Sequence, residues 1–382
     1  MERAVRVAVV TGDRRREAVS EALALIADDL RARVAPKVLL KPNLVSHKSQ
    51  RASTHVDTLA ATLDAVFSAG GGEITVAEGA SDAQAGFARF GYRHEAAGLP
   101  VRFFDINRDE NDWEPLALES VDGTTRIARV SRTVASSACR VSLALAKTHV
   151  TAILTLSLKN MLSSIHPHDR VMMHGHAGGG NGYNGWKRLA VEFLKGDNLM
   201  VEWLTRAMGR VRNVQSAWHE RSLRGRDPFA ALRPKELAFL RSVEAMNRNL
   251  VSLARLTKPH ISVVDGFLAM HREGPRHGTP IDLRTVVAGT DAVAVDAVAA
   301  AIMGFDPRQI GYLVHAQAAG LGTADLDAIT VVGEPIAAVR RICVPHSNIA
   351  VQRHWNRLAN TSALRGPHFD HATARAGGGV IP

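Results

Sequence analysis

The sequence predicts an α/β fold: a doubly wound, mainly parallel sheet with helices on both faces, plus a mostly helical insertion. Three observations predict it. Short apolar strands alternate with amphipathic helical stripes from Val5 to Ala146. Each of the first three strands delivers a polar group at its end: Thr11, then Lys41 with Asn43, then Glu78. The run Cys139 to Ala146 (CRVSLALA) is almost continuously apolar, as suits a parallel strand buried on both faces. With 382 residues the chain exceeds the size at which one core stops growing. We therefore expect a first α/β half carrying a Lys/His site over 1–180, a lid loop and helical insertion over 181–258, a second α/β part over 259–344, and a basic, partly disordered tail over 345–382.

The elements follow in order. Val5 to Val10 (VRVAVV) is a strand, and Val19, Leu23, Ile26 and Leu30 form the inner stripe of a helix. Val38 to Leu40 is the next strand, and Pro42 stops its ladder, presenting Lys41 and Asn43. Thr54 is the expected N-cap of a helix with inner stripe Leu59, Leu63 and Val66, closed by Gly70-Gly71-Gly72. Ile74 to Ala77 is a strand running into Glu78-Gly79, and Ser81 is expected to cap a short helix that ends near Gly91-Tyr92. Between Pro100 and Val134 short strands (VRFFDI, TRIARV) flank Val121-Asp122-Gly123, a hairpin turn.

After the apolar strand, Thr151 to Leu162 reads as a helix on which Thr155 and Lys159, four apart, share a face. Gly178 to Gly185 (GGGNGYNG) reads as a mobile lid, since no Lys-Ser or Lys-Thr follows as in a P-loop. Residues 187–256 are expected to be mostly helical, the last helix carrying the stripe Phe239, Val243, Met246, Leu250, Leu253, with Arg206, Arg210, Arg221, Arg224 and Arg226 on a solvated face. Ile261 to Val264 resumes the sheet and ends at Asp265-Gly266. Thr285 to Ala288 leads into a helix opening at Thr290-Asp291, and Ala328 to Val332 is the last strand. Asp296 lies on an apolar helix, where a carboxylate needs a partner: it orients a lysine or caps backbone.

Composition removes several functional classes. No apolar run is long enough to span a bilayer and no secretory core opens the chain, so we expect a cytoplasmic protein with no membrane partner. Two cysteines, Cys139 and Cys343, without a Cys-x-x-Cys pair, provide neither a structural zinc site nor an intrinsic iron–sulfur cluster. The net charge of +10 is spread along a chain with 5% aromatics and no DNA-binding motif, which argues against nucleic acid; an anionic substrate, a solubility device or plain compositional bias accounts for the charge equally well. No Gly-x-Ser-x-Gly elbow and no Gly-x-Gly-x-x-Gly after the first strand disfavour hydrolase and hydride-transfer chemistry.

The candidate site lies between Leu145 and His176. Lys41, Asn43, Lys147, Lys159 and Asn160 offer ammonium and amide donors for a carboxylate or phosphate, with Thr155 beside them. The competing reading pairs these lysines with Glu78, Asp265 or Asp296 as structural ion pairs. His166 with His168, and His174 with His176, are spaced to chelate a divalent transition metal, with His149 able to complete the set. Without metal, His149 or His174 is the expected acid/base, oriented by Asp265 or Glu78.

Lys41-Pro42-Asn43, Glu78-Gly79, Gly91-Tyr92, Lys147-Thr148-His149, Thr155 to Met161 (TLSLKNM), Val264-Asp265-Gly266, Glu273-Gly274-Pro275, Asp291 to Asp296 (DAVAVD) and Met303-Gly304 occur in one order. Together they resemble the family catalogued as domain of unknown function 362, over roughly residues 37 to 335. The resemblance implies an α/β domain of largely unassigned chemistry, often accompanied by a ferredoxin-type cluster, and it brings Gly274 into the list of substrate-binding positions. This chain departs from the pattern in having no cysteine motif, in Ser163 where glycine is usual, and in Val56 where proline often follows the threonine.

These readings lead to an enzyme acting on a small anionic metabolite, with Lys147 or Lys159 stabilising an enolate-like intermediate in a lyase, isomerase or cyclisation step, and His149, Asp265 or Glu78 moving the proton. Two other classes are kept: a non-catalytic metal- or ligand-binding protein, and a redox or assembly protein that needs an external iron–sulfur partner. A homodimer or protein partner would dock through the helical insertion or the tail.

Overall fold

The computed structural model describes residues 4–109, 113–177, 203–204, 207–209, 211 and 227–360. Its centre is one mixed sheet. In chain order the strands are β1 (Val5–Thr11), β2 (Lys37–Lys41), β3 (Glu73–Glu78), β4 (Val101–Asp105), β5 (Trp113–Glu119), β6 (Thr125–Ser131), β7 (Cys139–His149), β8 (Ile153–Thr155), β9 (Ile261–His271), β10 (Thr279–Ile281), β11 (Thr285–Gly289) and β12 (Ile329–Gly333). The main path runs β12-β1-β11-β9-β7-β2-β3-β4, with β8 appended to β7, β10 to β9, and β5 and β6 forming a separate hairpin.

The block β9-β7-β2-β3-β4 is parallel throughout, as is β12 with β1, whereas β11 runs antiparallel to both β1 and β9. The parallel block places the carboxyl ends of β2, β3 and β7 side by side. That is the edge at which open α/β sheets hold ligands.

Side-chain alternation explains the double winding. In β1, Val7 and Val9 face one core while Ala8 and Val10 face the other; in β7, Ala144 and Ala146 oppose Val141 and Leu143. One face is covered by the helices Arg15–Ala24 and Val56–Ser68 through Val19, Leu23, Leu59, Leu63 and Val66. The other is covered by Ala292–Ile302, every residue of which is buried, and by Pro234–Thr257 through Met246, Leu250 and Leu253. Each such buried aliphatic side chain contributes about 1.5–3 kcal/mol relative to exposure, so both stripes are firmly seated.

Several local expectations are corrected. The stripe from Val19 to Leu30 is buried, but the helix breaks after Ala24 and restarts as Ala27–Arg31. Thr54 is not the N-cap of Val56–Ser68; His55 is, its Nδ1 accepting from Asp57 N–H, while Thr54 ties the β2 loop to β7. Asp82, not Ser81, caps Ala83–Arg89. The expected helix Thr151–Leu162 is instead the short strand β8, one helical turn at Ser157–Asn160, and a 3₁₀ turn at Met161–Ser164. Thr151, Ile153 and Thr155 are β-branched residues directly after a strand, and antiparallel return onto β7 satisfies their backbone better than a helix start would.

Of the tail, residues to 360 are described and pack: Trp355 and Leu358 are buried against Leu240 and Val243 of Pro234–Thr257. The lid Gly178 to Gly185, Arg206, Arg210, Arg221, Arg224, Arg226 and residues 361–382 lie outside the described residues. No helix among the described residues is long and apolar enough to cross a membrane.

Candidate functional site

The three lysines expected at the site are all buried, and they differ in what holds them. Lys41, at the end of β2, donates to both carboxylate oxygens of Glu78 (3.1 and 3.0 Å) and is completely inaccessible. Glu78 is saturated further: Gly79 and Ala80 N–H (2.6 and 2.8 Å) and Ser163 Oγ donate to Oε1, and Leu44 N–H donates to Oε2 (3.1 Å). Burial pushes the Glu78 carboxyl up, but Lys41 with Ser163, Ala80 and Gly79 outweighs it and holds the group below its ordinary value. The structural ion-pair reading therefore applies to Lys41. Gly79 is required here, because a Cβ would lie 2.3 Å from Ser163 O.

Lys147, at the end of β7, donates to Asn43 Oδ1 (2.5 Å) and to Ala52 O (2.8 Å). Asn43 passes the network on, its Nδ2 donating to Asn160 Oδ1 (2.9 Å), and Asn160 Nδ2 donates to Lys41 O (3.1 Å) and Ser142 Oγ (3.0 Å). Both asparagines thus spend their polar atoms on clamping the ends of β2 and β7. Burial, then the neighbouring Lys159 and Arg276, bring the Lys147 ammonium down to about 7.

Lys159 differs from both. It sits in the Ser157–Asn160 turn, is 8% exposed, and among the described residues its ammonium makes no hydrogen bond and meets no carboxylate. Burial, with Lys41 as the next influence, lowers it to about 7. The turn that carries it is anchored by Asp296, whose carboxylate accepts Ser157 N–H (2.7 Å) and Leu158 N–H (3.0 Å) from across the core. Asp296 therefore caps backbone and does not orient a lysine; burial raises its own carboxyl to about 8.

Around Lys159 stand His149 and His174. His149 ends β7 and is buried; Thr151 N–H, Thr151 Oγ1 and Ala152 N–H converge on its Nδ1 (3.1, 3.2 and 3.2 Å). With Nδ1 accepting, the neutral ring carries its proton on Nε2. Burial, then Lys159, His174, His346 and Lys147, hold His149 well below the ordinary histidine value. His174 is brought down to about 3 by burial, then Lys159 and His176. Thr155 lies on β8 directly opposite Lys147, and its buried hydroxyl has no partner. Thr155 and Lys159 therefore do not share a helical face, since a strand and a turn carry them, but both lie in the β7-β8 corner.

Other expected residues lie elsewhere. Asp265 is consumed by Thr58 Oγ1 (2.7 Å), Arg15 Nε (3.2 Å) and Phe267 N–H (2.9 Å), beneath the Val56–Ser68 helix. Neither Asp265 nor Glu78 hydrogen-bonds His149; backbone N–H groups orient the ring instead. Gly274 is buried against β7, where a Cβ would stand 2.1 Å from Thr148 O, so its role there is close packing of the loop on the strand end.

The four histidines expected to share a metal separate into two pairs. His166 faces Arg129, Trp113 and His168, and its proton affinity answers to Arg129 and Asp169; that of His174 answers to Lys159 and His176. Among the described residues, no group of three or more His, Cys, Asp or Glu side chains is arranged to hold a metal ion.

Two contributors escaped the sequence reading. Glu273 and His346 form a buried pair (3.2 Å) near His149, with Ser347 N–H and Oγ donating to the Glu273 carboxylate (3.3 and 3.0 Å). Glu273 stood in a motif without an assigned role. His346 stood in a stretch without periodicity, and nothing local marked it.

A mixed α/β sheet whose strand ends gather buried lysines, histidines and amides defines the class of protein: an open-sheet α/β protein with a polar cluster at the carboxyl ends of its strands. The chain belongs to the DUF362 family, a domain of unknown function, whose model matches residues 38–301. It is similar to thylakoid-associated protein sll1697 of Synechocystis sp., 33% identical over 72 residues, which is 19% of this chain and 22% of that relative. It is also similar to a solved lactate racemase apoprotein from Thermoanaerobacterium thermosaccharolyticum, at 11% identity and a TM-score of 0.41, over 77% of this chain and 57% of that one.

Proposed function

We propose that the protein is an enzyme that binds a small anionic metabolite beside Lys159 and moves a proton on it, in the lyase or isomerase class. The observation that carries this reading is the buried Lys159 amine, without an acceptor among the described residues and electrostatically coupled to His149 and His174. Lys147, Lys159, His149 and His174 all have burial and positive neighbours acting against their charged forms. An incoming carboxylate or phosphate relieves that conflict: it supplies the missing counter-charge, raises the proton affinity of each group, and is itself stabilised. The Thr155 hydroxyl and His149 Nε2–H offer neutral donors to the same anion. His149 and His174, flanking the amine, are the proton carriers, and Lys159 balances the negative charge that develops on an enolate-like intermediate.

The test is thermal unfolding of the full chain with mono- and dicarboxylates and inorganic phosphate. An anion at one hundred times its Kd should stabilise the wild type by about 2.7 kcal/mol, and Lys159→Met should abolish the effect. Equal stabilisation of both proteins would overturn the reading. For an anion that binds, proton exchange at carbon is followed by NMR in D2O. His149→Ala should keep binding and lose exchange, whereas a wild type that binds without exchanging would be a ligand-holding protein.

A further inference from the structure

We propose that Lys159 is a covalent, imine-forming residue and that the anionic substrate is a 2-oxo acid. This rests on the functional reading above and names the chemistry of the same site. The inference begins from the contrast among the three buried lysines. Lys41 is engaged by Glu78, and Lys147 by Asn43 Oδ1 and Ala52 O, so the nitrogen of each is tied to acceptors. Among the described residues Lys159 has none, and the ionisable side chains with which it interacts electrostatically are Lys41, Lys147, His149 and His174. Burial and the cationic neighbours among the described residues disfavour the Lys159 ammonium, and the side chain relieves this by giving up its proton. What remains is a neutral primary amine, a nucleophile, held on a turn that Asp296 fixes from the core.

The surroundings suit a carbonyl that carries a carboxylate. Thr155 Oγ1, buried and without a partner, and His149 Nε2–H are donors for the carboxylate and the ketone oxygen. Lys147, with two of its three protons spent, has one left for the carboxylate. In the reaction the Nζ lone pair attacks the carbonyl carbon, the C=O π electrons move to oxygen, and one of the two amine protons passes through the neutral His149 or His174 imidazole to that oxygen. The second amine proton follows by the same relay, the C–O bond breaks, and the oxygen leaves as water carrying both protons. The product is a C=N bond to Lys159, with no net oxidation. Protonated, this imine keeps a positive charge where the anion needs it and acidifies the adjacent C–H, the proton the two histidines are placed to carry.

The test treats the full-length wild type with pyruvate or 2-oxoglutarate and sodium borohydride, followed by intact mass and peptide mapping. The expected result is a single reduced adduct on Lys159, absent with propionate and absent in Lys159→Arg. Thr155→Val should lower the adduct yield at sub-saturating pyruvate by roughly fivefold, the value of one hydrogen bond. Adduct spread over surface lysines with Lys159 unmodified, or no adduct at all, would overturn the inference. The wild-type map decides this even where a variant folds poorly. If propionate stabilises the wild type through Lys159 but no adduct forms, covalency fails and the anion-binding reading stands. If neither acid binds, both fail.

Discussion

At the scale of the residue, the three buried lysines show that burial alone says little about role. Lys41 is held by a carboxylate and four further donors to that carboxylate, and Lys147 by an amide and a carbonyl, whereas among the described residues Lys159 has no hydrogen-bond acceptor. Lys159 also has a pH signature, which it shares with Lys147. The Lys159 amine sits at about 7 in the folded protein, below its ordinary value. The unfolded chain therefore binds more protons between roughly pH 7 and pH 10.4, and stability rises across that window. The contribution is fully present above the unfolded value and is lost as pH falls toward 7. Replacing the amine with an apolar chain removes the penalty. Lys159→Met should stabilise the protein at pH 7 relative to pH 10, by on the order of 2–4 kcal/mol in urea unfolding at the two pH values. An identical difference from wild type at both would show that the amine stays charged.

At the scale of the element, the site depends on a four-residue turn too short to hold itself. Ser157–Asn160 follows a strand, begins without a side-chain cap of its own, and receives Asp296 from the helix Ala292–Ile302 in place of one. The carboxylate is costly to bury, and capping two backbone N–H groups is what compensates it. Asp296→Ala should leave both N–H groups buried and unpaired, costing about 1–3 kcal/mol in denaturant unfolding. It should also weaken anion binding, because the turn carrying Lys159 loosens; unchanged binding with reduced stability would confine Asp296 to a structural role. The same turn shows why the sequence misled: Thr151 to Leu162 has helical spacing, but β-branched residues directly after β7 fold back on it first.

At the scale of the molecule, the candidate site draws on distant parts of the chain. β2, β7 and the Ser157–Asn160 turn come from the first α/β half, Glu273 from the loop after β9, and His346 and Gln352 from beyond Pro345. Gln352 Nε2 donates to His149 O (2.9 Å), so the last described segment closes over the end of β7. That segment is pinned by Trp355, whose Nε1 donates to Gln309 O (2.9 Å) and whose ring packs with Leu240 and Val243. Trp355→Ala should cost about 3–5 kcal/mol, seen as a lowered Tm, and should weaken anion binding by releasing His346 and Gln352. Binding unchanged in the folded variant would show that the closing segment is not part of the pocket.

Most of the architecture was legible in the sequence, because hydrophobic periodicity and strand-end polar residues are local signals. The α/β class, the buried strand Cys139 to Ala146, the stripes of the covering helices and the presentation of Lys41, Asn43, Lys147 and His149 at strand ends all follow from residues within a few positions of one another. Only the tertiary structure decided which of those polar groups were already satisfied. Lys41 and Glu78 lie 37 residues apart, Lys147 and Asn43 104, and Ser157 and Asp296 139, so nothing local distinguishes a neutralised lysine from an unpartnered one. The histidine spacing likewise suggested one metal site, and the fold placed the two pairs in different surroundings. Partnership between buried polar groups is a property of contacts closed across the whole chain, and among the described residues those contacts left Lys159 without an acceptor.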